Sequence, residues 1–188
     1  MIGVILAGGK SSRFGEDKAL YPLNGLPMYE HVAQSLENVQ AIDEIVINTN
    51  DKLKTRFKNY RMIVDDAAYQ EHGPLGGLYA AAKAYPKEAL MVISCDTPYV
   101  DPAWLNILAE RAEQTGQTVI TTDNEREHPL IGVYQHETLA DLLENQLKTK
   151  RLSLKAFFEN LDVVYLNIES YNLNSTTLVN INRKTDIK

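Results

Sequence analysis

Apolar positions along the chain fall into short unbroken runs and longer stretches with a helical period. Valine and isoleucine dominate Ile2–Leu6 and residues 44–47, 62–64 and 90–93, as expected of strands covered on both faces. Residues 29–39 place Val32, Leu36 and Val39 at helical spacing, and the alanine-rich stretch 75–85 ends at Pro86. Asp101 before Pro102 reads as an N-cap followed by a first helical turn, with Trp104, Leu105 and Leu108 on one face. Further on, Thr118–Thr122 and residues 130–134 read as strands around a polar turn at 123–127. Residues 138–147 and 153–158 read as helices, and 163–166 and 178–181 as late or edge strands. Strands alternating with helices predict an α/β protein, a three-layer doubly wound and mostly parallel sheet. No repeat, low-complexity tract or linker divides the chain, so residues 1–188 read as one domain.

Charge narrows the partners. With 44% hydrophobic and 23% charged residues the composition is globular, and the formal net charge of −6 argues against nucleic acid or an anionic membrane as a partner. The longest apolar runs fall far short of a membrane span, and the first residues show no signal-peptide pattern. The single cysteine, Cys95, has no internal partner and reads as a buried apolar residue, so a reducing, cytoplasmic setting is expected.

Any phosphate the chain handles must then be held by local features, and the glycines mark two. Gly8, Gly9 and Gly15 follow the first strand, and Gly73, Gly76 and Gly77 precede the alanine-rich helix. Ligands of open α/β sheets bind beyond the carboxyl ends of strands, where glycine lets them approach the backbone. The first loop adds Lys10, Arg13 and Lys18, which suits a triphosphate. It is not a Walker A loop, since Val4 stands where that motif needs glycine, and no G-x-G-x-x-G follows the strand. Asp96 leaves the strand at 90–93 and is placed to bind a hard cation such as Mg²⁺, which bridges phosphate oxygens.

The run Leu6-Ala7-Gly8-Gly9, continued by Arg13, Gly15 and Lys18, is similar to the signature of nucleotidyltransferases. Gly73-Pro74-Leu75-Gly76-Gly77-Leu78, Cys95-Asp96-Thr97-Pro98, Arg126-Glu127-His128-Pro129 and Val179-Asn180-Ile181-Asn182 follow in order. Together they make the chain resemble the molybdenum cofactor guanylyltransferases, the MobA type, over nearly its whole length. The resemblance implies a Rossmann-like nucleotidyltransferase fold with a nucleotide-binding half at 1–100 and an acceptor-binding half at 101–188. It implies that Leu6, Ala7, Gly8 and Gly9 contact the nucleotide, that Lys18 reaches its phosphates, and that Asn48 and Asp66 lie beside it. Asp65 adjoins Asp66, and only the resemblance selects between them. Asp96 corresponds to the magnesium ligand, Asn180 and Asn182 to an asparagine pair beside the pterin, and Arg151 to an arginine near it. The chain departs from the family after Asn182, where Arg183-Lys184 stands in place of the usual Thr-Pro.

The implied reaction is attack by the terminal phosphate of molybdenum-loaded molybdopterin on the α-phosphorus of GTP, releasing pyrophosphate. The nucleophile is already an anion, so positioning and charge neutralisation by Lys18, Arg13 and Mg²⁺ on Asp96 carry the rate. Guanine offers two donors that a carboxylate such as Asp66 could accept, though a ribose or main-chain role fits as well. The resemblance also implies transient contact with proteins that insert molybdenum and accept the product. Lys148, Lys150, Arg151 and Lys155 form a basic helix end that is either an acceptor site or a solvated face. The four histidines are scattered and do not make a zinc site. Two other readings remain: a cytidylyl- or uridylyltransferase acting on a sugar phosphate or the pterin, and a non-catalytic molybdopterin-binding protein.

Overall fold

A computed structural model describes residues 1–9, 11, 14–70 and 72–187. Fourteen elements carry the fold: β1 (Ile2–Leu6), β2 (Pro22–Leu23), β3 (Leu26–Pro27), α1 (Met28–Glu37), β4 (Glu44–Thr49), β5 (Arg61–Val64), α2 (Pro74–Ala84), β6 (Leu90–Ser94), α3 (Pro102–Thr115), β7 (Thr118–Thr122), β8 (Glu127–Tyr134), α4 (Leu139–Leu147), α5 (Leu154–Phe158) and β9 (Val163–Asn167). Seven strands form one sheet in the order β5-β4-β1-β6-β8-β7-β9, and β8 alone runs against its neighbours. This is the three-layer, mostly parallel sheet that the apolar runs predict.

Side-chain alternation along the strands sorts the core into two layers. Ile5, Ile47, Met91 and Ile93 face α1 and α3, where Val32, Leu36, Trp104 and Leu108 meet them. Ile2, Val4, Leu6, Val46, Leu90 and Val92 face α2, α4 and α5. Both β1 and β6 are buried along their whole length, which is why their sequences lack polar alternation. Helix α2 is apolar nearly all round because the sheet covers one side and α4 the other. Helix α3 starts as its sequence requires: the Asp101 side chain accepts from the Ala103 N–H at 2.8 Å, and Gly116 closes it in the left-handed region at φ 67°. No helix among the described residues is long and apolar enough to cross a membrane.

Three expectations need correction. No helix joins β4 to β5; residues 51–56 form successive turns instead. Residues 178–181 are not a strand but leave a short 3₁₀ turn, Ser175–Leu178, as extended chain that turns inward at Ile181. Strand β8 begins at Glu127 rather than 130, pairing Thr122 with Glu127 after a register shift between Ile120 and Thr121.

At that hairpin Asp123 accepts the N–H groups of Glu125 and Arg126 at 2.8 and 2.7 Å, and lies 2.7 Å from His128 Nε2. The bond to His128, then that from Glu125, hold its carboxyl down at about 2. A depressed folded-state value stabilises the protein above the ordinary carboxylate range, and that gain is lost as pH falls through it. The stability advantage of wild type over Asp123→Asn should therefore shrink between about pH 4 and about pH 2, read from urea midpoints. A constant difference across that window would contradict the assignment.

Candidate active site

The order in which strands are added to the sheet reverses at β1. After β1 the chain moves outward through β4 to β5, then returns to place β6 on the opposite side of β1. The carboxyl ends of β1 and β6 lie side by side there, and open α/β sheets bind their ligands beyond such strand ends. A cleft of about 410 Å³ opens at this point, within the usual size range for small-ligand sites.

Four neighbouring strands contribute to it in spatial order. In register, Ser94, Leu6, Asn48 and Ile63 lie side by side across β6, β1, β4 and β5. The cleft is lined by Ser94, Cys95 and Asp96 after β6, by Leu6, Ala7, Gly8 and Gly9 after β1, by Asn48 of β4 and by Asp65 after β5. Strand spacing puts about 14 Å between the outer two chain paths, the span of a nucleotide laid across the strand ends. Leu130 is the one cleft residue after position 100 among the described residues.

At the β6 end, Lys18 Nζ lies 2.6 Å from Asp96 Oδ2, with both side chains about six-sevenths buried (15% and 13% exposed). Lys18 opens a short 3₁₀ turn, Lys18–Leu20, and its backbone N–H donates to the Ser11 hydroxyl at 3.2 Å. The second Asp96 oxygen is buried and finds no hydrogen-bond partner among the described residues. Such an oxygen suits a divalent cation that arrives with phosphate ligands and water, since Mg²⁺ needs only one or two protein carboxylates. Among the described residues no cluster of three or more His, Cys, Asp or Glu side chains forms an all-protein metal site. Next to Asp96, burial first and then that carboxylate push the Cys95 thiol up to about 12.

At the β5 end, Asn48 Nδ2 donates to Asp65 Oδ1 at 2.7 Å. Burial raises the Asp65 pKa above the usual carboxylate range, partly offset by the Asn48 bond. Helix α2 begins beside this pair, and Gly73 and Pro74 at its N-terminus line the cleft. Gly73 takes φ +60° and ψ −145°, a conformation that favours glycine and lets Pro74 open the helix.

The other sequence-derived candidates are spread more widely. Asp66 does not line the cleft; it pairs with Lys83 at 3.0 Å and accepts from the Ala68 N–H. Consecutive residues leaving a strand point to opposite sides, and it is Asp65 that faces inward. Arg151 does not line the cleft either, and its guanidinium makes two bonds to Glu159 at 2.7 and 2.5 Å. Asn180 accepts from the Thr97 hydroxyl at 3.1 Å, and the Asn182 N–H donates to Asp186. Arg13 and Lys10 lie outside the described residues. Asp65, which the resemblance passes over for Asp66, lines the cleft, as does Gln70, which carries no signal in the sequence. The histidines serve four separate places: His31 meets the Leu23 carbonyl, His72 the Tyr69 ring, His128 Asp123 and His136 Thr138.

This geometry has close counterparts. The molybdopterin-guanine dinucleotide biosynthesis protein A of Archaeoglobus fulgidus superposes with a TM-score of 0.82 at 26% identity, covering 100% of this chain and 95% of that one. An Aquifex aeolicus protein matches at 0.73 and 27% identity over 96% and 92% of the two chains. The 4-diphosphocytidyl-2C-methyl-D-erythritol synthase of Anaerococcus prevotii shares the fold at 0.73 and 13% identity, over 99% and 92%. Residues 3–164 match the MobA-like NTP transferase domain. The chain thus belongs to the MobA-like NTP transferase family, and is a nucleotidyltransferase.

Proposed function

We propose that the protein transfers GMP from GTP to the terminal phosphate of molybdenum-loaded molybdopterin, forming molybdopterin guanine dinucleotide and pyrophosphate. The observation that carries this reading is the row of strand ends with a cation and Asp96 at one end and a half-buried carboxylate at the other. Phosphates belong at the Lys18–Asp96 end, where the β1 loop supplies backbone N–H groups. The nucleoside belongs at the Asp65 end.

The Lys18 ammonium pairs with Asp96 and neutralises it. When the triphosphate enters, the Lys18 ammonium, still charged, pairs with phosphate oxygens. Asp96, with the phosphates, would hold Mg²⁺, which offsets the charge that develops on the departing pyrophosphate. The attacking phosphate is ionised at neutral pH and needs no general base, so alignment and charge neutralisation supply the acceleration. Arg13 is assigned to the same phosphate group by its place in the loop. Asp65, with one oxygen fixed by Asn48, is suited to accept the adjacent N1–H and amino donors of guanine. Residues 1–100 form the nucleotide half and 101–188 the acceptor half, from which Asn180 and Asn182 are candidates for the pterin. Proteins that load the pterin and receive the product follow as transient partners.

The test is pyrophosphate release from GTP with and without molybdenum-loaded molybdopterin, alongside calorimetry of GTP, ATP, CTP and UTP with Mg²⁺. Release that depends on the pterin, with GTP bound at least about tenfold tighter than the others, is expected. Equal affinities would remove the guanine assignment. Release with CTP and a sugar phosphate but not with GTP would make the protein a cytidylyltransferase instead.

A further inference from the structure

The last residues of the chain run between the two halves of the phosphate end. Ile181 is fully buried, and its N–H donates to the Asp96 carbonyl at 2.8 Å. Its side chain joins Phe14, Leu23 and Met28 in a small core of its own, against which Tyr21, Tyr99 and Ile187 also pack. One residue earlier, Asn180 accepts from Thr97, the neighbour of Asp96. Three residues later, Lys184 Nζ lies 2.5 Å from Glu16 in the glycine loop and 5.3 Å over the Tyr21 ring. Asp186 closes the segment by accepting the N–H groups of Asn182 and Arg183, both at 2.8 Å. The segment therefore touches the β1 loop through Phe14, Glu16, Tyr21 and Leu23, and the β6 turn through Asp96 and Thr97.

From these contacts we infer that residues 180–187 are a positioning clasp, holding the Asp96–Thr97 turn against the glycine loop and so setting the distance between Asp96 and Lys18. Asn180 and Ile181 act through Asp96, and Lys184 acts through Glu16. The inference deepens the reading of Lys18 and Asp96 as the phosphate end and rests on it. A carboxylate displaced by even a fraction of an ångström loses much of its value to a cation with strict octahedral geometry. The clasp therefore governs metal dependence more than nucleotide affinity, which is set at the far end of the cleft.

Cys95 provides a reporter. It is the chain's only cysteine, adjoins Asp96 and is buried, so it reacts slowly unless the turn opens. In Ile181→Ala, labelling of Cys95 by a maleimide should quicken about tenfold or more, because the turn loses its anchor. The Mg²⁺ concentration giving half-maximal pyrophosphate release should rise about tenfold, with the KM for GTP changed less than about threefold. Leu143→Ala is the control: it empties an equally buried site on α4, facing α2, and should leave both readouts as in wild type. Where Ile181→Ala fails to fold, Thr97→Val removes only the hydroxyl that reaches Asn180 and is read in the same way. Unchanged labelling and Mg²⁺ dependence in the folded variants, or equal changes in Leu143→Ala, would overturn the clasp. Labelling needs no substrate, so faster labelling in a protein inactive on GTP supports the clasp while overturning the functional reading.

Discussion

Lys18→Ala is expected to lower pyrophosphate release about 10²–10³-fold, the usual cost of removing one preorganised charge from a transition state. Its effect on stability is more informative than its size. Lys18 and Asp96 pair at 2.6 Å with little solvent around them, so the single substitution strands a carboxylate whose other oxygen already lacks a partner among the described residues. Breaking such a pair costs about 2 kcal/mol in a site that still opens on a cleft, less than in a sealed core. Asp96→Asn strands the ammonium instead and should cost a similar amount. The double variant Lys18→Ala with Asp96→Asn removes both charges, so it should recover much of the lost stability while recovering none of the rate. Urea midpoints and single-turnover rates on the four proteins form a double-mutant cycle. A double variant with restored rate, or a Lys18→Ala enzyme within about threefold of wild type, would remove Lys18 and Asp96 from the chemistry.

The same pair shows what the sequence could and could not reveal. The glycine loop after an apolar strand, and an aspartate at the exit of another, are local signals, and both stand at one end of the sheet. That the two strands are neighbours depends on a crossover, which periodicity does not encode. The two layers of the core were legible because parallel strands buried on both faces read as unbroken Val and Ile runs. Residues 178–181 have the same apolar character without being a strand. Ile181 is buried by packing on Phe14, Leu23 and Met28, and apolar content alone does not distinguish such an inward turn from an edge strand. Strand–helix alternation predicts a helix between β4 and β5, where residues 51–56 form turns instead. The Asp65–Asp66 choice was open to a parity argument: Asp65 lies two residues beyond Ile63, which faces α2, and so points the same way. Arg151 could not be assigned from sequence, because its partner Glu159 lies across a turn of the chain and neutralises it on the surface.

That parity difference leads to the second large effect, at the nucleoside end. Gly77 in α2 lies so close to β4 that an added Cβ would fall 2.3 Å from Asn48 Oδ1 and 3.1 Å from Leu6 Cδ2. Asn48 is buried and fixed by its bond to Asp65, so it cannot yield as a flexible surface chain would. Gly77→Ala should therefore cost about 1–3 kcal/mol of stability through overpacking, despite the gain in helix propensity that alanine brings. It should also displace Asn48, free Asp65 from its fixed orientation, and weaken GTP binding by about tenfold or more. Asp65→Asn should weaken GTP binding about 10–100-fold and inosine triphosphate binding by less, because hypoxanthine keeps the N1–H but lacks the amino group. Asp66→Asn disturbs only an exposed pair with Lys83 and should leave GTP affinity within about twofold. Calorimetry on these three variants separates the two carboxylates. If Asp66→Asn proves the costly change and Gly77→Ala the neutral one, the nucleoside does not lie against Asp65, and the nucleotide crosses the strand ends in some other direction.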